Sequence, residues 1–222
     1  MRTSDFDYIL PSELIAQTPI EPRDNSRLMT VNRLTGELQH WYFHEIGNFL
    51  NPGDLLVLND SRVIPARLKG HRLSTGGAVE VLLLHRTGLQ VWEALIKPGR
   101  RLMPGAKFDV NGVEIEILED TGRGTRLIHI SDEDVIDKAG EVPIPPYINT
   151  SLADRERYQT VYARVNGSAA APTAGLHFTS KLLENLRSDG IRLAHVTLHI
   201  GMDTFRPVRS EKPESHKIHS EY

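Results

Sequence analysis

The sequence predicts a mixed α/β fold: a discontinuous α/β domain, residues 1–62 and 131–222, into which a small antiparallel β-barrel, residues 63–130, is inserted. Three observations lead there. Segment 63–130 breaks into six short strand-like stretches separated by glycine-bearing turns, with little helical period. Helical patterning lies on either side of it, which makes an inserted barrel the simplest parse and a linear pair of domains the alternative. The 222 residues contain no cysteine, yet a chain of this length buries enough surface to fold without a covalent staple.

Each element has a local reason. Pro11 ahead of Ser12-Glu13-Leu14-Ile15-Ala16-Gln17 places proline in the first turn of a short helix. Stretches 28–33 and 37–43, joined by Leu34-Thr35-Gly36, read as a hairpin. Pro52-Gly53 turns the chain into the apolar strand 55–58. The middle segment offers strands at 67–73, 79–85, 90–96, 107–110, 113–118 and 126–130. Asn111-Gly112 marks a type I′ hairpin, because both central positions of that turn need positive φ. Residues 131–139 read as a helix that Gly140 ends, and Pro143, Pro145 and Pro146 impose an extended crossing. Thr179 caps a helix over 180–189, with Leu182, Leu183 and Leu186 on one face and Gly190 past its end. Residues 191–200 read as a strand on which His195, Thr197 and His199 share a face opposite Val196, Leu198 and Ile200.

Composition removes several classes of function. Without cysteine there are no disulfides, thiolate metal sites or cysteine nucleophiles. No apolar run approaches the ~20 residues of a membrane-spanning helix. The polar start Met1-Arg2-Thr3-Ser4-Asp5 is unlike a signal peptide. A cytoplasmic, membrane-free monomer is expected. The net charge of −3 averages over uneven blocks: −5 over 1–60, +6 over 61–110, −6 over 111–160 and +2 over 161–222. A polyanion responds to the local basic face, so a nucleic-acid partner stays open. Windows of this size also fluctuate by several charges without consequence.

Three stretches are dense in residues a core would not choose. Asn59-Asp60-Ser61-Arg62-Val63 follows an apolar strand, where α/β layers place their sites, although the same residues suit an Asx-turn. The small-residue loop 167–176 leads through Thr173 and His177 into the helix start at Thr179, which joins a hydroxyl, an imidazole and free N–H groups. The third stretch runs from His195 to the end and contains His199, Thr204, His216, His219 and Glu221. Five histidines over 177–219 raise the question of zinc, but the spacing lacks a His-Glu-x-x-His helix, and His216-x-x-His219 alone is a weak metal signal. Phosphate-loop, dinucleotide-fingerprint and nucleophile-elbow motifs are absent from the sequence.

These stretches resemble one family, the S-adenosylmethionine:tRNA ribosyltransferase-isomerases of queuosine biosynthesis. The matching strings are Asp7-Tyr8-Ile9-Leu10-Pro11 with Leu14-Ile15-Ala16-Gln17, Ser26-Arg27-Leu28, and Asn59-Asp60-Ser61-Arg62-Val63-Ile64-Pro65-Ala66-Arg67-Leu68. They continue with Tyr158-Gln159-Thr160-Val161-Tyr162-Ala163, Ala171-Pro172-Thr173-Ala174-Gly175-Leu176-His177-Phe178, Thr197-Leu198-His199 and the stretch 216–221. The resemblance implies a barrel set into an α/β domain. It also implies transfer of the ribosyl part of S-adenosylmethionine to a 7-aminomethyl-7-deazaguanine base at the tRNA wobble position. The product is epoxyqueuosine, with release of adenine and methionine. S-adenosylmethionine is then a co-substrate, no metal is required, and the partner is the tRNA anticodon stem-loop.

Family members usually continue past the His-x-x-His-x-Glu-x-Tyr string, whereas this sequence stops at Tyr222, so either a C-terminal portion is missing or the chain is a shortened relative. Where the family has Gly-x-Gly-Thr-Phe, this sequence has Gly201-Met202-Asp203-Thr204-Phe205. A noncatalytic RNA-binding remnant of the family and a metal-dependent hydrolase are the alternatives.

Within the matched motifs, residue chemistry suggests roles. A sulfonium acidifies the neighbouring C5′ hydrogens, and a base and an acid near neutral pKa would serve proton removal and adenine departure. His177 and His199 are the candidates, with Asp60 and Glu221 as orienting or base groups. Thr173, Phe178, Thr204 and His219 would line the substrate, and Arg62 and Arg67 would hold the methionine carboxylate or a phosphate. Lys69, Arg72, Lys97, Arg100, Arg101 and Lys107 form the candidate tRNA surface.

Overall fold

The computed structural model describes residues 1–99, 102–145, 147–150, 152, 154–201, 208, 210–216, 218 and 221. Arg100, Arg101, Asp203, Thr204 and His219, named above, lie outside the described residues.

The middle of the chain forms a closed antiparallel barrel of six strands: β5 (Arg67–Arg72), β6 (Ala78–Gly88), β7 (Val91–Lys97), β8 (Lys107–Val110), β9 (Val113–Asp120) and β10 (Arg126–Ile130). Their order around the barrel is β10-β7-β6-β5-β8-β9. Alternation drives it, because one face of each strand is apolar and closure leaves no unpaired edge. Leu68, Val81, Leu83, Ala94, Phe108, Ile115, Ile117 and Ile128 are all 0% exposed. The turn between β8 and β9 has Asn111 at φ 51 and Gly112 at φ 85, as a type I′ hairpin requires. Gly70 is needed for closure, since a Cβ there would sit 2.1 Å from the Asp109 carbonyl oxygen. Helix α1 (Asp134–Ala139) packs Val135 and Ile136 into the same core.

The rest of the chain is built from shorter pieces. Strands β1 (Arg27–Val31) and β2 (Leu38–Tyr42) make a hairpin. Strand β3 (Leu55–Asn59) pairs in parallel with β12 (Arg192–Val196). Strand β4 (Ser61–Val63) pairs in parallel with β11 (Val165–Ser168), a pairing the sequence did not suggest. Helix α2 (Ser180–Ser188) starts as expected: the Thr179 hydroxyl accepts from the Leu182 N–H at 3.1 Å. Its Leu182, Leu183 and Leu186 pack with Phe43, Leu58, Phe178 and Ile191.

Two expectations are corrected. The helix over 12–17 is one 3-10 turn, Ser12–Leu14. Leu14 is 70% exposed, and without a face to bury so short a helix has nothing to stabilise it. The strand over 191–200 ends at Val196. Beyond it the backbone bonds to side chains instead of a ladder: Leu198 N–H donates to Asn59 Oδ1 at 3.1 Å, and Ile200 N–H donates to Ser168 Oγ at 2.8 Å. His195, Thr197 and His199 therefore do not form one strand face.

Candidate functional site

Strands β3 and β12 run in parallel, and their carboxyl ends deliver Asn59-Asp60 and Thr197 to one place, where open α/β sheets put their sites. Asn59 is the corner: its Oδ1 accepts from Ser61 N–H at 3.1 Å, and its Nδ2 donates to the Leu198 carbonyl at 2.8 Å. The Asx-turn and the site are thus the same structure. Asp60 is 1% exposed. Its Oδ1 accepts from the Thr197 hydroxyl at 2.7 Å and its Oδ2 from Arg164 at 2.7 Å. The Thr197 hydrogen bond, helped by the Arg164 guanidinium, holds the Asp60 carboxyl below the usual carboxylate value against the opposing effect of burial.

The chain on either side of Arg164 is fixed to the same corner. Arg164 and Val165 N–H groups both donate to the Asp60 carbonyl, at 2.8 and 3.2 Å. Gly167 then passes under His199: at φ +143, a Cβ on Gly167 would lie 2.8 Å from the imidazole Cε1. Only glycine allows this approach. Among the described residues, His199 Nδ1 is buried without a hydrogen-bond partner. Glu221 reaches the same strip, where its Oε2 accepts from Gly201 N–H at 2.5 Å.

His177 sits in a second cluster. It ends the 3-10 turn Thr173–His177, and its Nδ1 is 2.8 Å from the Ser26 hydroxyl. Its ring lies 5.1 Å from that of Phe43. Burial lowers its pKa below the ordinary histidine value, and the nearby Arg157 and Arg23 guanidinium groups add to this. The imidazole is therefore neutral at pH 7, the form a base requires. Arg23 is held by the Gln159 carbonyl at 2.8 Å, and Gln159 brackets Val63 through both ends of its amide. Tyr162 lies between the His177 turn and β12. Its hydroxyl fills the space over Gly175, where a Cβ would meet it at 2.2 Å, and its ring lies 5.9 Å from that of His195. Burial pushes the Tyr162 hydroxyl up to about 12, so it stays protonated.

The structure brings Asp60, His199 and Glu221 onto connected segments, while His177 lies in a separate cluster with Ser26 and Phe43. Thr173 is exposed at the start of the His177 turn. Phe178 is 7% exposed and meets Phe43 edge-on at 4.9 Å, a core position that sets His177 from behind. Arg62 is ion-paired with Glu156, and Arg67 lies 3.6 Å from Glu80. On the barrel, Lys69 pairs with Glu141 at 2.8 Å and Lys107 with Glu114 at 2.7 Å, while Lys97 is exposed at the end of β7. Arg72 ends β5 opposite Phe108.

Sequence reasoning missed Arg164, Gly167 and the Arg23–Arg157 pair. Arg164 meets its carboxylate 104 positions away, so no local pattern marks it. Gly167 was visible only as one small residue among several. Among the described residues, no group of three or more His, Asp or Glu is arranged to hold a metal ion, and no helix is long and apolar enough to cross a membrane. A surface cleft of about 350 Å³ between the Phe43–Phe49 turn and α2, lined by Asn48, Leu50, Leu182 and Asn185 among others, shares no lining residue with either cluster.

Titratable groups gathered at the ends of parallel strands, beside a closed barrel, make a candidate site on a mixed α/β protein. The comparisons with known proteins name the family. The model of the queuosine biosynthesis protein family matches residues 3–222, and the chain belongs to that family. A Dehalococcoides mccartyi (strain CBDB1) protein named S-adenosylmethionine:tRNA ribosyltransferase-isomerase is 56% identical over 228 residues, which is 100% of this chain and 66% of the relative. Its Acetivibrio thermocellus namesake is 52% identical, over 100% of this chain and 67% of its own length. The crystal structure of S-adenosylmethionine tRNA ribosyltransferase from Thermotoga maritima shares 37% identity and covers 90% of this chain and 59% of that one, with a TM-score of 0.38. The chain thus spans about two thirds of the length of the curated relatives it matches.

Proposed function

We propose that this chain carries a tRNA ribosyltransferase-isomerase activity. It moves the ribosyl moiety of S-adenosylmethionine to a 7-aminomethyl-7-deazaguanine base at the wobble position, giving epoxyqueuosine and releasing adenine and methionine. The observation that carries this reading is the match of residues 3–222 to the family, together with 51–56% identity to relatives named for that activity. Residues 63–130 serve as an inserted barrel domain, and 1–62 with 131–222 as the α/β domain that holds the site.

His177, kept neutral by burial and its two arginine neighbours, takes a proton next to the sulfonium. His199, resting on Gly167, serves the second proton transfer, and Glu221 anchors the Gly201 backbone beside it. Asp60 orients: both its oxygens are already bonded, so it is poorly placed to act as the base. Thr173 faces the ribose. The exposed lysines of the barrel, Lys69, Lys97 and Lys107, and the half-buried Arg72 approach the stem-loop phosphates, and the target base is splayed from its strand. Partnering of Lys69 and Lys107 by glutamates lowers what each adds to phosphate binding.

The test is incubation with S-adenosylmethionine and the modified anticodon stem-loop while adenine release is followed. Turnover that needs the stem-loop is expected, with a loss of about 10²–10⁴-fold in His177→Ala. Stem-loop binding without adenine release would support the noncatalytic RNA-binding reading instead.

A further inference from the structure

We propose that Arg164 is an anion-binding residue of this site, held ready by Asp60 to receive an oxyanion of the substrates. The inference rests on the transferase reading above and adds a residue and a ligand chemistry to it.

The pair is uneven in a telling way. The Asp60 side chain is 2% exposed and the Arg164 side chain 74%, yet they are joined at 2.7 Å. The buried end is fully satisfied, because Thr197 occupies the other carboxylate oxygen. The exposed end is not. A guanidinium carries five N–H donors, and among the described residues Asp60 is the side-chain acceptor of just one. Neutralising Asp60 does not require a side chain so open to water. An arginine whose one corner is pinned to a rigid carboxylate, and whose remaining N–H groups face solvent, is shaped to grip a carboxylate or phosphate. Its backbone is also fixed, through N–H donation to the Asp60 carbonyl at 2.8 Å, so little freedom is lost when a ligand binds.

Position agrees. Arg164 lies beside the carboxyl ends of β3 and β12, three residues before the glycine on which His199 rests. The arginines that the sequence suggested for this task are engaged with Glu156 and Glu80. The oxyanion has two sources in the proposed reaction: the carboxylate of S-adenosylmethionine and a stem-loop phosphate.

The experiment measures equilibrium binding of S-adenosylmethionine, its decarboxylated analogue and the anticodon stem-loop to the wild type, Arg164→Ala and Arg164→Lys. Thermal unfolding is recorded alongside. Loss of a charge-assisted contact is expected to weaken one ligand by about tenfold or more. With a carboxylate source, S-adenosylmethionine weakens in Arg164→Ala and the decarboxylated analogue does not. With a phosphate source, the stem-loop weakens and the salt slope falls by about one, while the two sulfonium compounds are unchanged. Arg164→Lys keeps the charge but is one bond shorter and loses the fork, so it recovers part of the affinity, and it carries the test should the alanine variant fold poorly. Unchanged binding of all three ligands, or an equal loss for all three, overturns the proposal. A wild type that binds but releases no adenine would instead sink the transferase reading and leave these binding results legible.

Discussion

The barrel and the chain around it solve the folding problem differently. The barrel closes every strand on a neighbour and fills its inside with fully buried Leu, Ile, Val and Phe. Among the described residues, the surrounding chain has three two-stranded sheets, several 3-10 turns and a long exposed N-terminal stretch in which Ile9 is 94% and Tyr8 73% exposed. Its order comes from a smaller apolar cluster around Phe43 and α2 and from side chains that catch backbone across long sequence distances, such as Asn59 on Leu198 and Gln159 on Val63. The largest buried apolar cluster lies in the barrel, and the candidate catalytic residues sit where the backbone is held by polar contacts. Such a division leaves site loops free to be shaped by function while a rigid neighbour offers a charged surface.

The contrast can be broken most sharply in the barrel core. Phe108→Ala empties a fully buried site and is expected to cost about 3–5 kcal/mol, read as a fall in the denaturant midpoint. If Phe108→Ala were near neutral, the barrel would not be the stable half. Gly167→Ala probes the other half. A Cβ against the His199 ring at a backbone conformation that favours glycine should displace the imidazole. Turnover is expected to fall by at least about tenfold, by the loss of one positioned proton-transfer group. The denaturant midpoint should move far less than in Phe108→Ala. Thr179→Ala removes the α2 cap and should cost about 1 kcal/mol, with His177 chemistry little changed, since the cap bonds Leu182 and Asp24 rather than the imidazole.

Legibility in the sequence follows the same division. All six barrel strands were readable because alternation and glycine turns are local, and closure needed only that six such strands follow one another. α2 was readable from its cap and leucines. The end of β12 was not, because what stops it is Asn59 and Ser168, each more than thirty positions away. In the site, His177, His199 and Asp60 stood out as polar residues in small or strand-end settings. Arg164 has no local mark in the sequence, because its role depends on Asp60, 104 positions away. Likewise, nothing local tells that Phe178 is core and Thr173 exposed, since both follow from the turn that Gly175 makes under Tyr162.

The smallest effect is electrostatic and belongs to the outer region alone. His177 has a folded pKa below the ordinary 6.5, so the unfolded chain binds its proton more readily. Stability tied to this residue is complete above 6.5 and is lost as pH falls from there towards the folded value. Asp60 is also lowered, from 3.8, so its contribution is present above that value and fades only as pH drops through the still lower folded pKa. The two losses are therefore staggered, histidine first. Between pH 6.5 and 4 the denaturation midpoint should slope downward in the wild type, and His177→Gln should flatten part of that slope while leaving the fall below pH 4 in place. The acid limb of turnover should lie below pH 6.5 and move up towards it in Arg157→Gln, since one of the cations that disfavours the imidazolium is removed. An acid limb unmoved by Arg157→Gln, or an unaltered stability slope in His177→Gln, would place the titrating group elsewhere than in the His177 cluster.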